Sequence, residues 1–148
     1  MSRRTVKLVL LGLIALDVVF PLVIFLSPDT WTRLFHGVPL ADPMGLLHRL
    51  GAGWAAFAFW QIVAYLHWER EPGWLMLVAG IRLTESWADW FYWGYADHST
   101  LFGTLSLLGA APVNLLCGWL FYHAYLRYSR ERLAAQGAAS PAREPAPV

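Results

Sequence analysis

The sequence predicts an all-α protein of one domain, an integral membrane four-helix bundle with a short interfacial helix between helices 1 and 2. Hydrophobic residues make up 57% of the 148 residues and charged residues 14%, against about 25% charged residues in ordinary soluble domains. The chain also divides into four long apolar segments separated by short polar or proline-containing stretches. Each segment exceeds the roughly 20 residues that a helix needs to cross a bilayer.

The first predicted helix covers residues 6–26 and follows a short basic start with Arg3, Arg4 and Lys7. A cleaved signal peptide is the rival interpretation of such a segment. We favour a retained helix because the apolar run is long, contains Asp17 and Pro21, and lacks an Ala-x-Ala cleavage pattern.

The segment 27–43 is predicted to connect the first two long helices along the membrane surface. It contains three prolines and Gly37, and Trp31 and Phe35 contribute to an apolar side. Ser27 or Asp29 is a suitable N-cap for a short interfacial helix that ends near Gly37.

The remaining predicted helices cover residues 44–68, 73–95 and 101–128, and residues 129–148 form a disordered cytoplasmic tail rich in Ala and Pro. Asp42 is a candidate N-cap for the second helix, with Pro43 at its first position. The short polar link at 69–72 makes the second and third helices an antiparallel pair.

Positive charge is concentrated near both termini and in the turn that contains Arg70, whereas Arg33 is the one cation of the opposite loops. The positive-inside rule then places both termini in the cytoplasm. We expect a multi-pass protein of a bacterial cytoplasmic (inner) membrane, with the lipid bilayer as its first partner. The net charge of +1, and the single scattered cations outside the termini, predict no binding to nucleic acid.

Charged side chains inside the apolar segments form the candidate site. Arg82, Glu85 and Asp89 fall on one narrow stripe of the third long helix. The expected polar cluster consists of Asp17, Arg49, Arg82, Glu85, Asp89 and Asn114. We expect Arg49 to bridge to Asp17 or Asp89, beside an Arg82–Glu85 pair, because a buried charge needs a partner. These intramembrane salt bridges either fix the helix packing or line a pocket that binds a small molecule, a quinone head group or a proton.

The histidines are weaker candidates for cofactor ligation. His48, His67 and His123 are candidate ligands, and His67 with His123 could hold haem or ligate a chlorophyll magnesium. We predict no metal-ion site, because no two histidines have helical ligand spacing and the chain has one cysteine, Cys117. No nucleophile–base arrangement and no phosphate-binding loop is present, so no catalytic residue is predicted.

Three sequence stretches resemble the DoxX-like class of small four-helix bacterial membrane proteins: LFHGVPLADP, then HRLGAGW, then AGIRLTESWAD. The resemblance covers about residues 8–125 and implies the four-helix fold, with some members linked to membrane redox complexes. Glu85, Asp89 and the high Trp content do not match a pattern of that class.

The sequence therefore favours a non-catalytic accessory or structural subunit that packs against a larger respiratory or photosynthetic membrane complex, or against further copies of itself. One alternative is a small membrane redox enzyme or quinone binder that uses a polar pocket on the outer side. The other is an oligomeric proton-coupled transporter.

Overall fold

The computed structural model describes residues 1–42 and 44–139. The described chain contains five α-helices and no strand: α1 (Arg3–Leu26), α2 (Pro28–His36), α3 (Leu46–His67), α4 (Gly73–Tyr95) and α5 (Leu101–Ala139). The predicted all-α class is confirmed, and a short helix does follow the first long one.

Helix α1 starts slightly before the predicted segment because Ser2 caps it. The Ser2 hydroxyl accepts a hydrogen bond from the backbone N–H of Thr5 at 3.1 Å. At the other end, the N–H of Ser27 donates to the carbonyl of Val23 at 2.8 Å, and α2 begins at the next residue.

Asp29 organises the segment around α2. Its carboxylate accepts hydrogen bonds from Arg33 Nε at 2.5 Å and from the N–H of Leu40 at 3.1 Å. These two hydrogen bonds, the one from Arg33 more than the one from Leu40, lower the pKa of the Asp29 carboxyl below its usual value. The segment after α2 is therefore folded back onto the helix by one side chain.

The start of α3 differs from the prediction. The helix begins at Leu46, after Gly45 with a φ of 69°, so Asp42 is not the N-cap residue. The carboxylate of Asp42 nevertheless accepts the N–H groups of Leu46 and Leu47, both at 2.8 Å. The left-handed conformation of Gly45 separates the capping side chain from the first helical turn. Pro43 lies outside the described residues.

The four long helices pack as two pairs, α1 with α3 and α4 with α5, and the contact between α3 and α4 is sparser. We call the end where Met1, Trp68 and Tyr128 meet the base. There the carbonyl of Met1 accepts hydrogen bonds from the Tyr128 hydroxyl and Arg127 Nη1, each at 3.2 Å. We call the opposite end the top, where α2 contacts both α1 and α5.

The interior has three layers. An apolar cluster fills the base and includes Leu10, Trp68, Leu75 and Phe121. A second cluster at the top consists of Ile24, Trp31 and Phe35, with Phe20, Val23, Leu47 and Trp54 packed against it. Five polar residues are buried in the part of the chain that the structure describes: Asp17, Gln61, Arg82, Ser86 and Asn114. Along each long helix these polar residues lie on the top side of the base cluster, so they form a middle layer.

Helix α5 continues past Tyr128 to Ala139, where the sequence predicted a disordered tail from residue 129 onward. The start of that predicted tail is therefore wrong. A physical reason is that residues 129–136 are mostly Arg, Glu, Leu, Ala and Gln, which favour helix when no glycine or proline intervenes. The rest of the predicted tail, residues 140–148, lies outside the described residues.

Two helices, Arg3–Leu26 and Leu101–Ala138, are long and apolar enough to cross a membrane, and an 18-residue stretch of each has a mean hydropathy of 2.8 and 1.6, respectively. In the described chain, α3 and α4 do not reach the same measure. A bundle with four membrane-spanning helices, and the cytoplasmic orientation of its termini, therefore stay predictions.

Candidate functional site

Asp17 is the centre of the buried polar layer and is 3% exposed. One of its carboxylate oxygens, Oδ2, accepts hydrogen bonds from Arg82 Nη2 and from Gln61 Nε2, the latter at 2.5 Å. Charge-assisted bonds of this kind are stronger than neutral ones. A single carboxylate thus ties α1 to α3 and to α4.

Arg82 extends this arrangement to α5. Its Nη1 donates to Asn114 Oδ1 at 3.3 Å, and Asn114 Nδ2 donates in turn to Asp89 Oδ2 at 3.2 Å. The Ser86 hydroxyl lies near two carbonyl acceptors, that of Arg82 at 3.0 Å and that of Ala111 at 3.1 Å. A continuous set of polar contacts therefore crosses all four long helices.

Glu85 and Asp89 lie at the margin of this layer and are half-buried. Glu85 accepts a hydrogen bond from Trp54 Nε1 at 3.2 Å, which links α4 to α3. The two carboxylates are thus bound by neutral donors, Trp54 and Asn114, and the one buried cation of the layer is bound to Asp17. The margin consequently contains two carboxylates without a salt bridge to a described residue.

The predicted pairing of the charges is wrong. Arg82 forms its salt bridge with Asp17 and not with Glu85. Arg49 is exposed and forms no salt bridge with a described residue, so it bridges neither to Asp17 nor to Asp89. Arg82 pairs with Asp17 on another helix because the Asp17 carboxylate is buried and needs a cation. Glu85 is only half-buried and already accepts a hydrogen bond from Trp54.

Two contact residues of the site, Gln61 and Trp54, were not predicted from the sequence. Gln61 is fully buried and is the single amide within an otherwise apolar part of α3, which is a signal that could have been used. Nothing in the sequence marks Trp54 as a hydrogen-bond donor of the site. Tryptophan is common in apolar segments, and the partner of its N–H depends on the fold.

Two atoms of the layer have no hydrogen-bond partner among the described protein atoms, Gln61 Oε1 and Arg82 Nε. Both belong to residues that bind the same oxygen of Asp17. An unpaired buried polar group costs about 1–3 kcal/mol. The pair offers one acceptor and one donor to a small polar molecule, in addition to its role in packing.

The three candidate cofactor histidines lie apart from the polar layer. His48, His67 and His123 are all exposed, and none hydrogen bonds to a residue of the layer within the described chain. The ring of His67 lies 6.3 Å from that of Trp74, and the ring of His123 lies 4.5 Å from that of Trp119. Aromatic packing accounts for these two positions, and the described residues contain no cluster of three or more His, Cys, Asp or Glu side chains suited to a metal ion.

His36 has the more specific environment, which the sequence did not indicate. Its Nδ1 lies 2.7 Å from the carbonyl of His98, and its Nε2 lies 2.7 Å from the Tyr92 hydroxyl. The carbonyl can only accept, so Nδ1 carries the proton in this contact, and a neutral ring accepts the Tyr92 O–H at Nε2. His36 and Tyr92 line a pocket of about 340 Å³ at the top, together with Trp31, Leu40 and Leu47.

No protein-family model, curated protein or solved structure matches this chain. The resemblance to the DoxX-like class is thus carried by the residues of the sequence alone and stays a prediction.

Proposed function

We propose that this protein is a multi-pass integral membrane protein that acts as a non-catalytic subunit and packs against a partner membrane protein through one face of α4. The observation that carries the proposal is that face, which combines small residues with exposed aromatic rings on the side of α4 opposite its charges. Membrane placement is supported by the two apolar helices and by the exposed leucines of α1, such as Leu8, Leu16 and Leu22.

The α4 outer face consists of Gly80, Thr84, Trp87 and Phe91, whose spacing of four, seven and eleven residues keeps them on one helical stripe. A Cβ atom built on Gly80 has no neighbour within 4 Å, so the space beside this glycine is open. The Thr84 hydroxyl donates to the carbonyl of Gly80 at 2.9 Å and needs no further partner. Small residues at this spacing allow another helix to approach closely in a membrane.

The aromatic part of the face supplies contact area. Trp87 is 59% exposed and Phe91 is 63% exposed. Trp87 precedes the end of α4 at Tyr95 by about 12 Å at 1.5 Å per residue, which is deeper than a belt of tryptophans at head-group level. Lipid contact therefore explains Trp93 and Tyr95 better than it explains Trp87. Buried tryptophans are among the strongest contributors to protein interfaces.

The polar layer supports a structural role for the charges. Arg82 is bound to Asp17 and Asn114, and each bond joins a different helix to α4. Such an arrangement fixes the relative position of the helices. A subunit that presents an apolar face to a partner needs a rigid bundle behind that face, and the Arg82 contacts supply one.

The proposal is tested by extraction of the tagged full-length chain from its native membranes. It should remain in the pellet after carbonate washing, and release into the supernatant would contradict membrane integration. In a mild detergent it should migrate with a mass well above that of one chain and its micelle. Migration of the wild type as a single free chain would refute the subunit role.

A variant pair makes the test specific to the α4 outer face. Gly80→Leu with Trp87→Ala should release the chain from the larger assembly, because an interface tryptophan is worth about 2 kcal/mol or more. Trp119→Ala on α5 is the matched control, since Trp119 is similarly exposed at 55% but lies on another helix. Equal release by Trp119→Ala would show that general surface apolarity, and not this face, holds the assembly.

A second candidate function is favoured by the pocket at the top. It is mostly apolar, which suits a quinone-like ring. To bind a quinone carbonyl, the Tyr92 O–H would turn from His36 Nε2 to the ligand, because the His36 Nδ1–H is already bound to the carbonyl of His98. A soluble quinone analogue should quench tryptophan fluorescence through Trp31, and Tyr92→Phe should weaken the binding by about tenfold, because one hydrogen bond is lost. Quenching that is identical in wild type and variant would refute binding at this pocket.

A further inference from the structure

A second pocket opens at the base, between the start of α1, the turn after α3 and the extension of α5. Its volume is about 240 Å³. By the same measure one water molecule needs only about 10–15 Å³, so the pocket has room for a larger polar group with its hydration. The lining includes three arginines from three separate segments: Arg3, Arg70 and Arg132.

The acidic residues of this pocket are already bound to other cations. Glu69 accepts the Lys7 ammonium at 3.1 Å, and Glu131 accepts Arg127 Nε at 2.9 Å. Arg3 is 3.9 Å from the second oxygen of Glu131, and its guanidinium lies 5.3 Å from the centre of the Tyr128 ring. The carboxylates therefore do not neutralise the pocket.

Arg70 and Arg132 are the two arginines of the pocket whose guanidinium groups can still bind an anion. Neither forms a salt bridge with a described residue. Arg70 sits in a tight turn, where the N–H groups of Arg70 and Glu71 both donate to the carbonyl of His67 at 3.0 Å. The guanidinium groups of Arg70 and Arg132 are thus carried on two ordered segments that face one pocket.

Trp68 lies against the pocket and is fully buried, and its indole N–H has no hydrogen-bond partner among the described atoms. Because that N–H is itself buried, the ligand-binding donors of the pocket are the guanidinium groups. A guanidinium presents several N–H groups in a planar fork, which suits an anion with several oxygens.

We propose that this base pocket binds a phosphate group, and that the source of the phosphate is the head group of an anionic phospholipid. Guanidinium matches phosphate oxygens in a bidentate way. The base holds the helix ends with the excess of cations, where basic pockets between membrane helices bind anionic head groups. The lipid as source rests on the proposed membrane placement, whereas the phosphate chemistry of the pocket does not.

The test uses the full-length chain in detergent micelles, with phosphatidylglycerol or phosphatidylcholine added and bound lipid counted by native mass spectrometry. The wild type should retain phosphatidylglycerol in preference to phosphatidylcholine. Arg70→Gln with Arg132→Gln should weaken phosphatidylglycerol retention about thirtyfold, since each basic residue near an anionic surface contributes about fivefold. The fold should persist, because neither arginine has a salt bridge among the described residues.

The control is Arg33→Gln with Arg49→Gln, which removes two exposed arginines from the top together with the exposed Arg33–Asp29 bridge, and it should leave retention unchanged. Equal loss in both double variants, or equal retention of the two lipids by the wild type, would overturn the proposal. Inorganic phosphate at millimolar concentration is a separate arm. If it stabilises the wild type against heat but not the base double variant, while neither lipid is retained, the phosphate site stands and the lipid source is wrong.

The outcome is separable from that of the proposed subunit role. Loss of lipid retention in the base double variant should leave the mass of the larger assembly unchanged, because the α4 outer face lies on a different surface. A chain that leaves the membrane on carbonate washing but still binds inorganic phosphate through Arg70 and Arg132 would refute the membrane role alone.

Discussion

Removal of Arg82 is the sharpest test of the polar layer. Arg82→Met leaves the carboxylate of Asp17 with Gln61 as its remaining donor, at a site that is 3% exposed. Breaking a buried ion pair by removing one partner costs about 3–5 kcal/mol, because an uncompensated charge stays buried. Asp17→Leu should cost a similar amount by leaving the guanidinium without its counter-ion.

The double variant distinguishes a bound pair from two independent sites. With both charges gone, Gln61 Nε2 and Asn114 Oδ1 lose their partners, at about 1–3 kcal/mol for each buried group. The singles sum to about 6–10 kcal/mol and the double variant comes to about 2–6 kcal/mol, so between the midpoints we expect the double variant to cost about 4 kcal/mol less than the sum. The difference is the coupling energy of the pair.

The assay is denaturant unfolding of the detergent-solubilised protein, followed by circular dichroism at a fixed protein and detergent concentration. Arg49→Leu combined with Asp17→Leu is the control cycle, because Arg49 is exposed and forms no salt bridge with a described residue. Costs in that cycle should add to within about 0.5 kcal/mol. Additivity in the Arg82–Asp17 cycle, or a cost below about 1 kcal/mol for either single change, would refute the pairing.

Two further predictions concern the contact between α2 and α5. Gly103→Ala should destabilise the protein by about 1–3 kcal/mol, because a Cβ atom at this position collides with the backbone carbonyl of Phe35. Gly109→Ala in the same helix meets open space and should be neutral or stabilising by about 0.5–1 kcal/mol in thermal unfolding; equal loss at both sites would contradict the close approach. Thr100→Val should cost about 1–2 kcal/mol, since the Thr100 hydroxyl lies 2.6 Å from the carbonyl of Leu34 and accepts the N–H of Gly103 at 2.9 Å. Thr104→Val is its control, because the Thr104 hydroxyl bonds only to the exposed Ser99 side chain at 3.0 Å among the described partners, and a loss as large as that of Thr100→Val would refute the argument.

The helical class could be predicted from the sequence because apolar run length and turn residues act locally. The short helix after α1 and the four long helices all appear close to their expected positions. The predicted helix ends were wrong at two places, where two local sequence features favoured different boundaries. At Gly45 the left-handed turn displaced the helix start from Asp42, and after Tyr128 the charged helix-favouring residues extended α5 through a segment that composition alone described as a tail.

The polar layer could be predicted in part of its membership, but not in its pairing. A charge in an apolar segment is visible in the sequence, and this identified Asp17, Arg82 and Asn114, which the structure brings together. Pairing depends on how each helix is rotated about its axis and on which neighbour it packs against. The spacing of residues along α4 alone favoured Glu85 as the partner of Arg82, whereas packing across the bundle brings Asp17 to Arg82.

The Asp17–Arg82 bridge also bears on the order of biosynthesis. The two residues are 65 positions apart, so α1 is synthesised with its carboxylate well before the matching guanidinium exists. Gln61 becomes available earlier and can donate a hydrogen bond to Asp17, but it brings no charge. On the proposed membrane placement, α1 passes through a period in which Asp17 is unpaired, at an insertion cost of about 2.5–3.5 kcal/mol. That period ends when α4 is inserted and Arg82 binds Asp17. The position of α1 in the bundle is therefore fixed only after α4 has been synthesised.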